Sequence, residues 1–273
     1  MSHSRLRRGV ALAALAFALA VPVTAGCGVQ TQRAANHQLP TQQLSEVRNR
    51  LERNGPIELP ATTPPPPGQA GTMTDFVKIV MDDVGTFWGT TFANAGLQYQ
   101  TTNYVILDDG AAPMQSACGG PPATADDGPF YCSQGGALPG GSTSEPIIYV
   151  GAPWLSQAMS GVGSGNYDFA VASVIAHEFG HHVQHELGLS RTELPGKFQE
   201  LSADCLGGVW SYAAYQNGQL DAGDIDEALM AAWSAGSDQP DDDGPDPHGT
   251  REERVNAFSL GYSGGNPATC LQG

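Results

Sequence analysis

Residues 168–188 read DFAVASVIAHEFGHHVQHELG and contain a His-Glu-x-x-His motif at positions 177 to 181. Few polar residues interrupt the stretch that leads into the motif, so the sequence predicts a mostly buried helix. On a helix, His177 and His181 lie one turn apart and project from the same face. Two imidazoles in this arrangement bind a Zn²⁺ ion and leave open positions on it, while Glu178 between them can accept a proton.

The ends of this helix also have sequence signals. Asn166 or Asp168 is the candidate N-cap, because both side chains can accept a hydrogen bond from a free backbone N–H group. Gly188 is the candidate residue just after the C-terminus, where glycine favours the left-handed conformation. The motif is therefore predicted to lie on a single helix of roughly five turns.

A catalytic zinc ion usually has three protein ligands and a water, so the motif needs a further ligand. A second apolar segment runs from about Pro195 to about Gly218, and these two residues predict the start and end of a helix. Glu200 and Asp204 share one face of that helix. The first carboxylate can bind the metal, and the second can hold a ligating imidazole in one orientation. This Glu-x-x-x-Asp pair after His-Glu-x-x-His resembles the arrangement of gluzincin (thermolysin-like) peptidases.

The sequence offers two alternatives for the third ligand. A metzincin motif would need glycine and histidine at the positions of Gln184 and Leu187, so that pattern fails twice. His185 continues the four-residue spacing, but three successive histidines on a straight helix rotate too far to converge on one ion. We expect His182 and His185 to be solvated or to lie behind the ligands. A histidine-rich helix without metal is the remaining alternative, and the Glu-x-x-x-Asp pair argues against it.

Several longer stretches resemble a bacterial family, the putative neutral zinc metallopeptidases. They are 174–184 (VIAHEFGHHVQ), 191–193 (RTE), 200–210 (ELSADCLGGVW), 223–229 (GDIDEAL), 248–254 (HGTREER), 117–119 (ACG) and 128–132 (GPFYC). The resemblance runs from about Met73 to Cys270. It implies a membrane-associated or exported zinc endopeptidase, with His177, His181 and Glu200 as the metal ligands and Glu178 as the catalytic base.

The predicted chemistry is attack by a metal-activated water. One Zn²⁺ ion lowers the pKa of a bound water to roughly 7, and Glu178 takes its proton as the water attacks a peptide carbonyl. Asp204 orients a ligating histidine. His248 lies in one of the resembling stretches and is the candidate donor to the oxyanion, with a structural role at a turn as the alternative. Helix capping and salt bridges explain Arg251 and Arg254 more simply than such a role.

The N-terminus has the layout of a secretory signal peptide over residues 1–26. Basic residues precede an apolar run from Val10 to Val21, which is shorter than the ~20 residues of a membrane-spanning helix. Thr24-Ala-Gly-Cys27 resembles a bacterial lipobox and would place a lipid on Cys27. Ordinary cleavage after Ala25 and an uncleaved signal anchor are the alternatives. We therefore expect export, as a lipoprotein on the outer face of the cell membrane or as a secreted protein.

The cysteine count agrees with export. Lipidation of Cys27 would leave four of the five cysteines, an even number that suits an oxidising compartment. We expect the disulfides Cys118–Cys132 and Cys205–Cys270. The alternative for Cys205, which lies on an apolar helix, is a buried thiol.

The chain divides by composition into three parts. After the signal peptide, residues 27–72 are rich in Gln, Pro, Thr and Ala and predict a disordered, partly polyproline tether. Residues 73–273 suit one compact metallopeptidase domain. Its elements come in the order helix, strands and helical run. This order favours an α+β fold, mainly helical and zincin-like, with a small sheet beside the active-site helix.

Further signals place the elements of this domain. The predicted elements are a first helix capped within Thr72–Asp75, strands at Tyr104–Leu107 and Pro146–Val150, and helices at Ile225–Ala235 and Arg251–Gly261, the last with a capping box of Thr250 and Glu253. One of the two strands is a candidate to pair with an extended substrate beside the active-site helix.

The formal net charge is −16, which disfavours a nucleic-acid partner because phosphate binding needs a basic patch. The acidic run that begins at Asp241 superficially suggests a Ca²⁺ loop. Aligned on Gly244, however, an EF-hand would need acids at Gln239 and Thr250. A solvated loop explains the run more simply.

The expected partners are a peptide or protein substrate and the membrane, reached through the N-terminal lipid or signal anchor. One alternative is a non-catalytic envelope lipoprotein with a structural zinc site, and another is a zinc hydrolase acting on a non-protein amide. Glu178 argues against the structural alternative, because a purely structural site has no use for a base between its histidines. The sequence does not indicate an oligomeric state.

Overall fold

Helices make up most of the described structure. A computed structural model describes residues 71–162, 167–189, 196–238 and 248–271. Within these ranges the helices are α1 (Met73–Asn94), α2 (Ala152–Met159), α3 (Asp168–Glu186), α4 (Gly196–Gln216), α5 (Asp224–Ala235) and α6 (Arg251–Gly264), followed by a 3₁₀ turn (Pro267–Leu271). None of these helices is both long and apolar enough to cross a membrane. The predicted signal peptide, Cys27, the tether up to residue 70 and the acidic run that begins at Asp241 lie outside the described residues.

Two small sheets occupy the chain between α1 and α2. The strands are β1 (Asn103–Leu107), β2 (Phe130–Cys132), β3 (Gly136–Leu138), β4 (Gly141–Thr143) and β5 (Ile147–Gly151). β5 lies between β1, to which it is parallel, and β2, to which it is antiparallel, while β3 and β4 pair with each other. The predicted α+β class is confirmed. Both predicted strands are present, and the three shortest strands were not predicted.

The position of β5 corrects one expectation about the substrate. β5 is the central strand of its sheet, so its neighbours pair with both of its backbone edges. The segment Pro146–Val150 therefore cannot add a substrate strand. β2, which the sequence analysis did not predict, is the edge strand that packs against α3. Three-residue strands such as β2 carry too short a pattern to be recognised from sequence.

Small residues set the distance between α3 and α4. A Cβ added to Gly180 of α3 would come within 2.7 Å of the Cα of Ala203 on α4. In the other direction, a Cβ on Gly207 of α4 would lie 3.4 Å from the backbone nitrogen of His177. Because no side chain separates the helices at these points, carboxylates on α4 can reach imidazoles on α3.

The contact between α4 and α6 is equally close. A Cβ on Gly208 of α4 would lie 2.2 Å from the carbonyl oxygen of Phe258, and one on Gly261 of α6 would lie 1.9 Å from that of Cys205. Only glycine permits either approach. This packing brings the buried side chain of Arg254 on α6 to the side of α4 that carries Glu200 and Asp204.

Both expected disulfides are present, Cys118–Cys132 and Cys205–Cys270. The alternative of a buried thiol at Cys205 is therefore wrong. Cys118–Cys132 joins the connection between β1 and β2 to β2, and Cys205–Cys270 ties the C-terminal 3₁₀ turn to α4. The second bridge reinforces the helix that carries Glu200.

The helix caps were predicted with mixed success. Thr72 caps α1 by accepting a hydrogen bond from the Asp75 N–H group, and α6 begins with the predicted capping box. The prediction for α3 was wrong, because its N-cap is Tyr167, in a left-handed conformation with φ of 50°. Asp168 is instead the first helical residue, and its Oδ1 accepts from the Phe169 N–H group at 3.0 Å. The other candidate cap, Asn166, lies outside the described residues.

Candidate metal centre

Two histidines and one glutamate converge where α3 crosses α4. Nε2 of His177 lies 3.4 Å from Oε2 of Glu200, and Nε2 of His181 lies 3.4 Å from Oε1. One donor atom of each residue lies within 4.8 Å of the donors of the other two. Ligand atoms about 2.0–2.2 Å from a tetrahedral Zn²⁺ ion are roughly 3.3–3.6 Å from one another. The three residues therefore fit one zinc ion, and His185 is not part of this group.

The carboxylate of Asp204 contacts the ring nitrogen of His177 that does not face Glu200. Its Oδ1 lies 2.8 Å from Nδ1 of His177, which leaves Nε2 directed at Glu200. The same carboxylate accepts two hydrogen bonds from Arg254, from Nε to Oδ2 at 2.7 Å and from Nη2 to Oδ1 at 2.8 Å. All of these groups are buried or nearly so. The predicted contact of Asp204 with a candidate ligand is present. The sequence analysis had assigned Arg254 only to capping and salt bridges.

The charges of this buried group are strongly coupled. Burial alone would raise the pKa of Glu200, but hydrogen bonds from His177, His181 and His248 hold it far below its usual value. Burial also opposes ionisation of Asp204, while the positive charges of Arg254 and His177 keep its pKa low. For His177, burial lowers the pKa, but the Asp204 carboxylate outweighs this effect and raises it to about 10. The anionic groups thus favour positive charge at this position, as expected of a site for a cation.

Glu178 lies beside the ligands at the wall of a cavity. Its side chain is buried, and burial raises its pKa despite the nearby histidines. The cavity has a volume of about 450 Å³ and is also lined by His177 and Glu200. Apolar side chains cover much of the remaining wall, among them Trp154, Met159, Val174, Ala228, Ala231 and Phe258. A carboxyl group, the candidate ligands and an apolar cavity are therefore contiguous.

His248 also reaches this site. It lines the cavity, and its Nδ1 lies 3.3 Å from Oε2 of Glu200. Its side chain is 47% exposed, so it stands at the solvent side of the candidate ligands. His248 therefore lies beside the candidate metal ligands, through its contact with Glu200.

Gln184, for which no role at the site was predicted, contacts the second histidine. Oε1 of Gln184 lies 3.3 Å from Nδ1 of His181, and its Nε2 donates to the carbonyl oxygen of Gln199 at 2.8 Å. Gln184 therefore links His181 to the start of α4, next to Glu200. The spacing of three residues on one helix is the only signal that could have indicated this contact.

The remaining histidines of α3 lie on another face. His182 is fully buried, its Nε2 lies 2.8 Å from the carbonyl oxygen of Gln100, and its Nδ1 lies 3.2 Å from the hydroxyl of Tyr131. The same hydroxyl lies 3.0 Å from Nδ1 of His185. The expectation that His182 is solvated or behind the ligands was therefore wrong. It is a hydrogen-bonded core residue that attaches α3 to β2, and its pKa is lowered by burial to about 4.

Comparison with known proteins agrees with this geometry. The sequence profile of the family described as putative neutral zinc metallopeptidase matches residues 58–195 and 192–272. The chain belongs to this family. The resemblance stated from the motifs is thereby confirmed, and with it membership in a family named for zinc-dependent peptidases.

This chain is similar to proteins of Escherichia coli and Mycobacterium tuberculosis. Uncharacterized protein YpfJ of Escherichia coli (strain K12) is 31% identical over 215 residues, which cover 71% of this chain and 69% of the relative. Uncharacterized protein Rv2575 of Mycobacterium tuberculosis is 33% identical over 180 residues, or 57% of each chain. No solved structure matches this chain. Both relatives are named only as uncharacterized proteins, so they do not identify a substrate.

Proposed function

We propose that this neutral zinc metallopeptidase is an endopeptidase that binds one Zn²⁺ ion through His177, His181 and Glu200. The observation that carries the proposal is Glu178, which lines the same cavity as two of these ligands. A structural zinc site is closed by its ligands and needs no such group, whereas a catalytic site keeps a position open. The bound metal would supply a water of lowered pKa at that position.

Each residue of the site then has a distinct task. Glu178 accepts the proton of the attacking water and passes it to the leaving amine, and burial makes its carboxylate a stronger base than an exposed one. Asp204, itself held by Arg254, orients His177. His248, at the solvent side of the cavity, is the proposed donor to the tetrahedral oxyanion.

The cavity supports a peptide substrate cleaved within the chain. Its apolar wall suits an apolar side chain next to the scissile bond. A carboxypeptidase also needs a positively charged group that binds the terminal carboxylate of its substrate. Among the described residues of the wall, Arg254 is buried and already paired with Asp204, so it is not available for a terminal carboxylate.

The proposed location is outside the cytoplasm. Two disulfides in the peptidase domain suit an oxidising compartment. The proposed route is the N-terminal signal, with a lipid on Cys27 as the proposed attachment to the membrane. Mass spectrometry of the membrane fraction tests this, because a Cys27→Ser variant would lose both the lipid mass and the membrane association.

A peptide library separates the peptidase from its two alternatives. The zinc-loaded protein is incubated with unlabelled peptides of varied sequence, with and without a chelator, and the products are identified by mass spectrometry. Internal cleavage that the chelator abolishes and Zn²⁺ restores supports the proposal. Tight zinc binding without turnover supports a structural zinc site, and turnover only of amides that are not peptides supports the other hydrolase.

A pair of histidine variants provides the matched control. His181→Ala should lose zinc and activity, since it removes a proposed ligand. His185 lies one turn further along the same helix, is half exposed and contacts Tyr131 rather than Glu200. His185→Ala should therefore retain both zinc and activity. Equal losses in the two variants would show that the histidines act through the stability of α3 rather than through the metal.

A further inference from the structure

Three carboxylates meet at the other end of the active-site helix, where the N-termini of α3 and α5 adjoin. They belong to Asp168, the first residue of α3, and to Asp224 and Glu227 in the first turn of α5. One oxygen atom of each lies within 4.8 Å of an oxygen of each of the others. This group is separate from the proposed zinc ligands and has no part in the proposed reaction.

Each carboxylate uses one oxygen atom in a hydrogen bond to the backbone. Oδ1 of Asp168 accepts from the next N–H group at 3.0 Å, and Oδ2 of Asp224 accepts from the Asp221 N–H group at 2.7 Å. Oε1 of Glu227 accepts from the Tyr167 N–H group at 3.2 Å. These bonds restrain the three side chains from which the carboxylate cluster is formed.

Glu227 gives the independent indication that a ligand belongs here. It is only 4% exposed, and its Oε2 is buried without a hydrogen-bond partner among the described residues. A buried carboxylate oxygen is expected to bind a donor or a cation, because leaving it unsatisfied is unfavourable. A neutral hydrogen-bond donor would satisfy Oε2. It would not compensate the negative charge of Glu227 and of the two carboxylates beside it.

The net negative charge of the three carboxylates also favours a bound cation. No lysine or arginine of the described chain forms an ion pair with any of the three residues. Each helix N-terminus offers roughly half a positive charge, so the ends of α3 and α5 offset only about one of three negative charges. Consistent with this excess, burial and the neighbouring acids raise the pKa of Asp224 to about 6 and also raise those of Asp168 and Glu227.

We propose that Asp168, Asp224 and Glu227 bind one Ca²⁺ ion. Calcium takes oxygen ligands at about 2.3–2.6 Å, so two ligands of one ion are at most roughly 5 Å apart, and these carboxylate oxygens lie within 4.8 Å of one another. Mg²⁺ requires shorter bonds and stricter geometry, and Zn²⁺ prefers nitrogen or sulfur ligands, so the site favours Ca²⁺. Water and backbone carbonyls would complete its coordination.

This ion would join the active-site helix to the wall of the cavity. α3 carries both candidate histidine ligands, and α5 contributes Ala228 and Ala231 to the cavity. A cation at the shared N-terminal end would hold the two helices together about two to three turns from the zinc site. Calcium is therefore expected to stabilise the fold and the cavity without taking part in the chemistry.

Calcium titration of the full-length protein tests the proposal. The protein is freed of divalent ions, reloaded with one equivalent of Zn²⁺, and titrated with Ca²⁺ at pH 7 while heat and thermal unfolding are measured. We expect one saturable site and a rise in Tm with calcium. In Asp224→Asn and Glu227→Gln the calcium-dependent rise should be lost, while Asp226→Asn, an exposed acid on the same helix, should keep it.

The stability of the variants without calcium separates an effect on folding from an effect on calcium binding. Without calcium, Asp224→Asn should be at least as stable as the wild type at pH 7, because it relieves repulsion among the three acids. A Tm that does not respond to calcium in the wild type would overturn the proposal. So would a calcium response that survives in Asp224→Asn and Glu227→Gln, or one that Asp226→Asn removes equally.

Discussion

Oδ1 of Asp204 lies 2.8 Å from Nδ1 of His177, and the guanidinium of Arg254 forms two hydrogen bonds with the same carboxylate. His177 is therefore oriented from α4, and α4 is in turn held by α6. The close glycine contacts between these helices make the arrangement possible. The candidate zinc site is thus supported by three helices, although only two of them supply ligands.

Removal of the Asp204 carboxylate should weaken zinc binding. Asp204→Ala is expected to lower zinc affinity or peptidase activity by about 10–100-fold, because His177 loses the group that orients it. It should also lower stability by about 3–5 kcal/mol, because Arg254 remains buried without its partner. Competition with a chromogenic chelator and thermal unfolding measure the two effects. If the variant equals the wild type in zinc affinity and in stability, Asp204 does not support the candidate site.

Glu200→Ala should be more severe than Asp204→Ala in zinc binding, since it removes a proposed ligand rather than a supporting residue. The zinc content of both purified variants, measured by elemental analysis, gives the ranking. The reverse order would show that Asp204, and not Glu200, binds the metal.

Arg254 should be sensitive even to a conservative change. Arg254→Lys keeps the charge but cannot reproduce the paired hydrogen bonds to Asp204, so we expect roughly tenfold weaker zinc binding. Arg251→Lys is the control, because Arg251 pairs at the surface with Asp238 and surface pairs contribute little. Zinc titration of the two variants checks this. Equal effects would mean that Arg254 acts only through the general stability of α6.

The apolar cavity should determine which side chain is accepted. Ala158 lines it and is partly exposed, so Ala158→Leu narrows the cavity with little disturbance of the core. We expect kcat/KM for peptides with bulky apolar residues at the cleavage site to fall by about 10–100-fold relative to peptides with small ones. Ala93→Leu, on the exposed face of α1, should leave the preference unchanged. An unaltered preference in Ala158→Leu would place the substrate elsewhere.

The acidic cluster should make stability depend on pH. The pKa of Asp224 is raised to about 6 from an unfolded value of 3.8, so the folded state binds more protons between these values. Its stabilising contribution is fully present below pH 3.8 and is lost as the pH rises through about 6. In calcium-free buffer, the wild type should therefore lose stability relative to Asp224→Asn from pH 4 to pH 7. A constant difference in Tm across this range would contradict the raised pKa of Asp224.

The sequence predicted which residues converge at the candidate metal centre, because their spacing is local. His177 and His181 are one turn apart on α3, and Glu200 and Asp204 are one turn apart on α4, so helical periodicity alone pairs them. Their meeting across the two helices depends on Gly180 and Ala203, whose contact has no sequence signature. The meeting of the two residue pairs was instead inferred from similarity to known peptidases.

Other contacts could not be predicted because they join distant parts of the chain. His182 belongs to the same histidine-rich stretch as the ligands, but Tyr131 and Gln100 hold it in the core. Arg254 reaches Asp204 across 50 residues of sequence. Tyr167 caps α3 with a backbone conformation that neither propensity nor pattern predicts for tyrosine.

The zinc content and cleavage rate of Glu178→Gln test the central claim most directly. The substitution preserves the size of a buried side chain and removes its ability to take a proton. We expect the variant to bind zinc as the wild type does and to cleave a peptide substrate about 10²–10⁴-fold more slowly. Wild-type cleavage rates in a variant with a full complement of zinc would contradict the role of Glu178 as the catalytic base.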